Sequence, residues 1–193
     1  VNGNCGHSIV PGPKENVVDY YFGNGLFSLA QRDRYKESFP DWEDFATYSE
    51  AVAHKGSNLN FVTLLGHGTI RWSVMNGAHP RKPNAQEAKE IERIIRTNME
   101  QGAWGLSFGL DYVPSRYAEM DELVEVSQMI KEYDGVVAAH MRQSVGIEEA
   151  MEEFIEVGRR SGAKLQASHV SSMHPKAFDL VKDAREKEQI DIL

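Results

Sequence analysis

The sequence predicts an α/β fold in which strand and helix units alternate to build a parallel sheet, and two patterns predict it. From about residue 60 onward, short apolar runs alternate with segments of helical periodicity. Each helical segment gathers its apolar residues on one stripe, as a helix covering one face of a sheet does. The strand candidates are Phe61 to Leu65, Ala103 to Ser107, Gly135 to Ala139 and Lys164 to Ser168. Between them, Ile91, Ile94, Ile95 and Met99 form one stripe, Met120, Leu123, Val126 and Ile130 a second, and Ile147, Ala150, Met151, Phe154 and Ile155 a third. A fourth stripe, Ala177, Leu180, Val181 and Ala184, precedes Ile190 to Leu193, which begins like a further strand.

The first 60 residues follow another pattern. Gly3, Gly6, Pro11, Gly12 and Pro13 mark a loop leaving a strand end, and a polar stretch with aromatic residues runs on through Trp42. Pro40-Asp41 resembles a helix start, with Asp41 as the N-cap of a helix reaching about His54.

Composition narrows the function. A chain of 193 residues with 41% hydrophobic content can bury one core, as a domain or as part of one, but two complete domains are not expected. A net charge of -8 disfavours a nucleic-acid or anionic-membrane partner and leaves a small molecule as the expected one. The single cysteine excludes an internal disulfide framework. No apolar run approaches the roughly 20 residues of a membrane helix, and a cytoplasmic location is the default expectation.

In a parallel barrel, chemistry sits at the C-terminal ends of the strands. Here Cys5, Gly66-His67, Ser107 to Tyr112, His140 and Ser168-His169 stand at such ends. A lone histidine there is more often a hydrogen-bonded core group, and a lone cysteine a small buried apolar one. Two histidines at the same place in neighbouring units are different, because adjacent strand ends bring two imidazoles within reach of one ion. Cys5 lies in a polar, glycine-flanked loop where a metal-held thiolate fits better than packing. His7, His54, His79 and His174 read as surface or structural, the acidic faces such as Glu148, Glu149, Glu152 and Glu153 as solvated, and Trp72, Trp104 and Tyr117 as packing residues.

At these residues the sequence resembles the N-acyl-D-amino-acid deacylases (D-aminoacylases) of the amidohydrolase superfamily. The likeness runs through Gly3-Asn4-Cys5-Gly6 with Ser8 and Pro11, and then Asn60 through Gly66-His67 with Arg71. It continues through Gly102-Ala103-Trp104-Gly105-Leu106-Ser107-Phe108-Gly109-Leu110-Asp111-Tyr112 with Pro114, then His140-Met141-Arg142, and Ser168-His169. It implies a partial (β/α)8 TIM-type barrel of the metal-dependent amidohydrolase kind, hydrolysing N-acylated D-amino acids with zinc-activated water. Cys5, His140 and His169 would hold the zinc, and Tyr112 would stand near the substrate carboxylate. Arg142 would contact an anion or form a structural salt bridge, pointing in the first case into the cleft of Tyr112, away from Trp72 and Trp104. His67 and Ser107 are expected to line the site. Where family members carry acidic residues after His-x-Arg, and a substrate-holding lysine two places after the second histidine, this sequence has Gln143, Ser144 and Ser171. Ser171 therefore stands as a substrate-binding candidate, and side-chain specificity is open.

The family's His-x-His pair comes from the first barrel strand and its catalytic aspartate from the last. Both fall outside this span, so no catalytic residue is assigned within it. Residues 1–193 are expected to form an interior segment of a single catalytic barrel without its first and last strand units, inactive by itself and able to self-associate through open edges. Two alternatives stay open, a cyclic amidohydrolase of the hydantoinase or dihydroorotase kind, and a non-catalytic metal-binding barrel segment.

Overall fold

The computed structural model describes residues 1–170 and 174–193. Four strands pair in chain order in one parallel sheet, β1 (Leu64–Gly66), β2 (Gly105–Gly109), β3 (Val136–His140) and β4 (Lys164–Ala167). Leu64 lies opposite Gly105, Gly105 opposite Val136, and Val136 opposite Lys164, so the strand starts are level and their C-terminal ends share one rim. Further segments extend the sheet on both flanks, Asn2 bridging to Thr63 and Ile192 to Leu165, both in parallel. Ile190 to Leu193 thus does run as a strand start.

Parallel neighbours need crossover connections, and helices supply them. The helices α5 (Ala85–Glu100), α6 (Met120–Glu132), α7 (Ile147–Ser161) and α8 (Pro175–Lys187) carry the four expected stripes. Ile91, Ile95, Met99, Leu123, Val126, Ile130, Ala150, Met151, Phe154 and Ile155 all join the core, together with Leu106, Phe108, Val137 and Leu165 of the sheet. Helix ends follow local chemistry. The Asn84 side chain accepts from the backbone N–H groups of Gln86 and Glu87, while Glu87 accepts from Asn84 N, a reciprocal cap in which the Asn84 contribution is about 1 kcal/mol.

Strand bounds differ from the expectation at their N-terminal ends. β1 starts at Leu64 rather than Phe61, β2 at Gly105 rather than Ala103, and β3 at Val136 rather than Gly135. Phe61 and Trp104 have exposed side chains at the N-terminal rim, although the Trp104 backbone still donates to the Thr63 carbonyl at 3.0 Å and accepts from Val136 N at 3.2 Å. The C-terminal ends shift as well: β2 runs on to Gly109 rather than ending at Ser107, and β3 runs on to His140, which is its last residue and not the residue after it.

The larger correction lies in the first 75 residues. The stretch whose sequence predicts a loop and polar chain contains α1 (Lys14–Gly23) and α2 (Arg32–Ser38), and α4 (His67–Met75) follows β1 directly. In α1 the buried residues Val17, Val18, Tyr20 and Phe22 do not fall on one stripe, and α4 buries His67, Gly68, Thr69, Ile70 and Arg71 on nearly every side. Neither pattern has the period that marks a half-buried helix. The helix expected from Asp41 is α3 (Phe45–Lys55), capped by Asp44, whose Oδ1 accepts from Thr47 N at 2.9 Å. Asp41 instead pairs with Lys14 at 3.1 Å in solvent. Among the described residues, no helix is long and apolar enough to cross a membrane.

Candidate metal centre

The loop carrying Cys5 is held against the sheet by backbone contacts. Ser107 Oγ accepts from Gly6 N at 3.0 Å and donates to the Gly3 carbonyl. The Gly6 carbonyl accepts from Tyr20 Oη at 3.0 Å and from Gly68 N at 3.1 Å. This approach leaves no room for side chains: a Cβ on Gly6 would lie 2.6 Å from Gly109 N, and one on Gly109 would lie 2.0 Å from the Cys5 carbonyl oxygen. The loop turns sharply enough to place Cys5 itself in the left-handed region, with φ 56°. His169 follows β4 with φ 63°, also left-handed. Each such non-glycine conformation costs about 1–3 kcal/mol and persists where surrounding contacts over-determine it, a pattern that concentrates at functional sites.

These turns bring three donors together. Cys5 Sγ lies 2.9 Å from His169 Nε2, and one ligand atom from each of Cys5, His140 and His169 falls within 4.8 Å of the others. With zinc bond lengths of about 2.3 Å to sulfur and about 2.0 Å to nitrogen, a tetrahedral shell sets thiolate and imidazole donors roughly 3.5 Å apart. The cluster therefore needs only small side-chain movements to close on one ion. His140 Nδ1 is buried without a hydrogen-bond partner, while Nε2 faces Asp111 Oδ2 at 3.4 Å. A thiol and two imidazoles, one of them with a ring nitrogen left without a partner, form a donor set suited to zinc.

Burial governs the electrostatics. It raises the Cys5 thiol above its ordinary pKa. It lowers that of His140, against the opposing pull of Asp111. Tyr112 is raised, first by burial and then by Cys5 and Asp111. Burial pulls the Asp111 carboxyl upward, yet hydrogen bonds from Ser144 and His140 outweigh it and hold the group below its usual value.

Tyr112 reaches the cluster through the turn after β2, where Leu110 N donates to the His140 carbonyl at 2.8 Å and Tyr112 N to the Gly109 carbonyl at 3.0 Å. Its ring centroid stands 4.8 Å from that of His140. Arg142 takes the structural one of its two roles. Its Nε bonds Glu153 at 3.2 Å, Nη1 donates to the carbonyls of Leu110 and Arg116, and Nη2 to that of Ala118 at 3.1 Å. The guanidinium braces the Tyr112 loop, the structural alternative of the two.

His67 does not line the site. It is fully buried, with Nδ1 2.9 Å from Ser115 Oγ and Nε2 3.1 Å from Glu122 Oε1, which also accepts from Arg71 Nε at 2.9 Å. Ser107, equally buried, clamps the Cys5 loop instead of facing substrate. Ser171 lies outside the described residues. Trp104 is exposed at the opposite end of the strands, and Trp72 packs 5.7 Å from Tyr20.

Two residues near the cluster escaped the sequence reading. His7 sits between Tyr20 and Tyr112 at ring distances of 5.1 and 4.9 Å, with both ring nitrogens buried and unpartnered. Its pKa is lowered to about 4, by burial first and His140 second. Its place two residues after Cys5 in the same loop was the available signal. The other is Asp111, which the sequence places at a strand end beside Tyr112 without a role of its own.

A thiol and two imidazoles stand at one rim of a parallel sheet backed by helices, the layout of an arc of a (β/α)-type barrel. The comparisons place it further. No family model matches the chain. It is 31% identical to an N-acyl-D-glutamate deacylase of Alcaligenes xylosoxydans xylosoxydans, over 91% of this chain and 34% of that protein. It is 29% identical to a D-aminoacylase of the same organism, over 88% and 33% respectively. Among solved structures, an N-acyl-D-glutamate deacylase from Bordetella bronchiseptica complexed with zinc and a phosphonate inhibitor superposes with a TM-score of 0.77 at 25% identity, covering 98% of this chain and 39% of that one. A D-aminoacylase described as defining a novel subset of amidohydrolases gives 0.77 at 24% identity. The chain is similar to N-acyl-D-amino-acid deacylases and D-aminoacylases, and it spans about a third of the length of the curated relatives it matches.

Proposed function

We propose that Cys5, His140 and His169 hold a zinc ion, and that the full-length protein carrying this segment hydrolyses the amide bond of an N-acylated amino acid. The observation that carries this reading is the convergence of one thiol and two imidazoles within 4.8 Å at the C-terminal rim of the sheet. The kinship with N-acyl-D-amino-acid deacylases supplies the substrate class. Held by Cys5, His140 and His169, zinc would supply an activated water and a Lewis acid for the scissile carbonyl. The segment's own residues bind and orient. His140 and His169 present imidazole donors, and Tyr112, beside His140, donates its phenol to the carboxylate of the acyl amino acid. Arg142 and Ser107 hold the Tyr112 and Cys5 loops in register. Proton transfer from water has no assigned group in this span. Residues 1–193 act as an interior segment of one barrel, with a cytoplasmic location and self-association through open sheet edges as subsidiary expectations.

The test is hydrolysis of paired N-acetyl-D- and N-acetyl-L-amino acids by the zinc-loaded full-length protein. Cleavage of D substrates, lost on chelation and restored by zinc, is expected. No cleavage of any linear acyl amino acid by protein with stoichiometric zinc would overturn the substrate class.

A further inference from the structure

The geometry points to Asp111 as the residue that orients His140 for metal binding, an inference that rests on the zinc reading above. β2 and β3 pair with Gly109 opposite His140, so the chain leaving β2 must pass over the end of β3. The Leu110 N–H caps the His140 carbonyl at 2.8 Å, and the next residue, Asp111, sets Oδ2 3.4 Å from His140 Nε2. The carboxylate is fixed from its other side, where Oδ1 accepts from Ser144 N at 3.2 Å, in the turn that follows β3. Asp111 therefore ties the two strand ends together and keeps its acceptor on the outer nitrogen of the ring.

The consequence is a fixed tautomer. With Nε2 carrying the hydrogen toward Asp111, Nδ1 is left as the lone-pair donor, and Nδ1 is the buried atom without a partner. A carboxylate on the far nitrogen of a metal-binding histidine sets ring orientation and raises donor strength, and its removal typically weakens metal binding about 10–100-fold. Asp111 is thus a positioning residue that acts through His140.

Zinc affinity of the full-length protein, measured by competition with a chromophoric chelator, tests this in the wild type, Asp111→Ala and Asp111→Asn. Circular dichroism and cooperative thermal unfolding serve as the check on folding. Asp111→Ala is expected to lose about 10–100-fold in affinity. Asp111→Asn is expected to lose less, because its amide oxygen still accepts from Nε2–H. With cobalt in place of zinc, thiolate absorption from Cys5 should persist in both variants while the ligand-field bands shift, a signature that a merely structural role would leave unmoved. Folded variants that bind zinc as tightly as a zinc-binding wild type would overturn the role of Asp111 and leave the metal site standing. A wild type that binds no zinc would overturn both.

Discussion

Replacing Glu122 by alanine removes the carboxylate that pairs with the buried Arg71 guanidinium. Arg71 is fully buried, and Glu122 Oε1 accepts from its Nε at 2.9 Å while also facing His67 Nε2 at 3.1 Å. Burial alone would raise the Glu122 pKa, but the hydrogen bonds and charges of His67 and Arg71 outweigh it and hold the group below the usual carboxylate range. Breaking a buried pair by removing one partner leaves an uncompensated charge and typically costs about 3–5 kcal/mol. The Arg71 guanidinium keeps three carbonyl acceptors, on His79, Pro114 and Arg81, which places Glu122→Ala at the lower end, about 3 kcal/mol. Urea unfolding of the full-length protein reads this directly. Glu122→Gln should cost less, since an amide oxygen still accepts from Arg71. Glu119→Ala, which removes an exposed partner of Lys82, should leave stability near that of the wild type. The pH dependence has a definite sign. A carboxyl whose folded pKa is depressed contributes stability above its unfolded value of about 4.3 and loses it as pH falls through the folded value. The gap between wild type and Glu122→Gln should therefore be full at pH 7 and close in acid. A Glu122→Ala variant no less stable than Glu119→Ala would refute the reasoning.

Three further outcomes follow from the site and the core. Tyr112→Phe in the full-length protein should lower kcat/KM by about 10–100-fold, the value of one hydrogen bond to a charged group, and leave zinc content unchanged; unchanged kcat/KM would remove the carboxylate role. Gly6→Ala must put a Cβ 2.6 Å from Gly109 N at φ 76°, so it should both destabilise the fold and weaken zinc binding by displacing Cys5, as thermal unfolding and chelator competition would show. Phe154→Ala, in the α7 face of the core, should cost about 3–5 kcal/mol of unfolding free energy yet keep stoichiometric zinc in the folded protein.

Much of this architecture was legible because burial here follows simple periods. Helices α5 to α8 each lie with one face on the sheet, so Ile91, Leu123, Phe154 and Ala177 announce them. Helices α1 and α4 do not, because neighbours surround α4 on nearly all sides and the buried residues of α1 are scattered around it; neither shows a polar face opposite an apolar one. The cluster of Cys5, His140 and His169 was readable because strand ends of a parallel sheet converge. The roles of His67, Ser107 and Arg142 were not, since residues at a strand end can turn either toward the rim or back into the core. His67 meets Glu122, 55 residues away, and Ser107 meets Gly3, 104 residues away, contacts with no local trace in the chain. Asp111 matters through its register with His140, which emerges only once β2 and β3 are paired.

The central claim is that a thiolate and imidazoles hold one ion at this rim, and zinc X-ray absorption on the full-length protein tests it most directly. The expected shell contains one sulfur at about 2.3 Å with nitrogen or oxygen donors at about 2.0–2.1 Å, and the sulfur disappears in Cys5→Ser. A protein without stoichiometric zinc, or a zinc shell without sulfur, would contradict it.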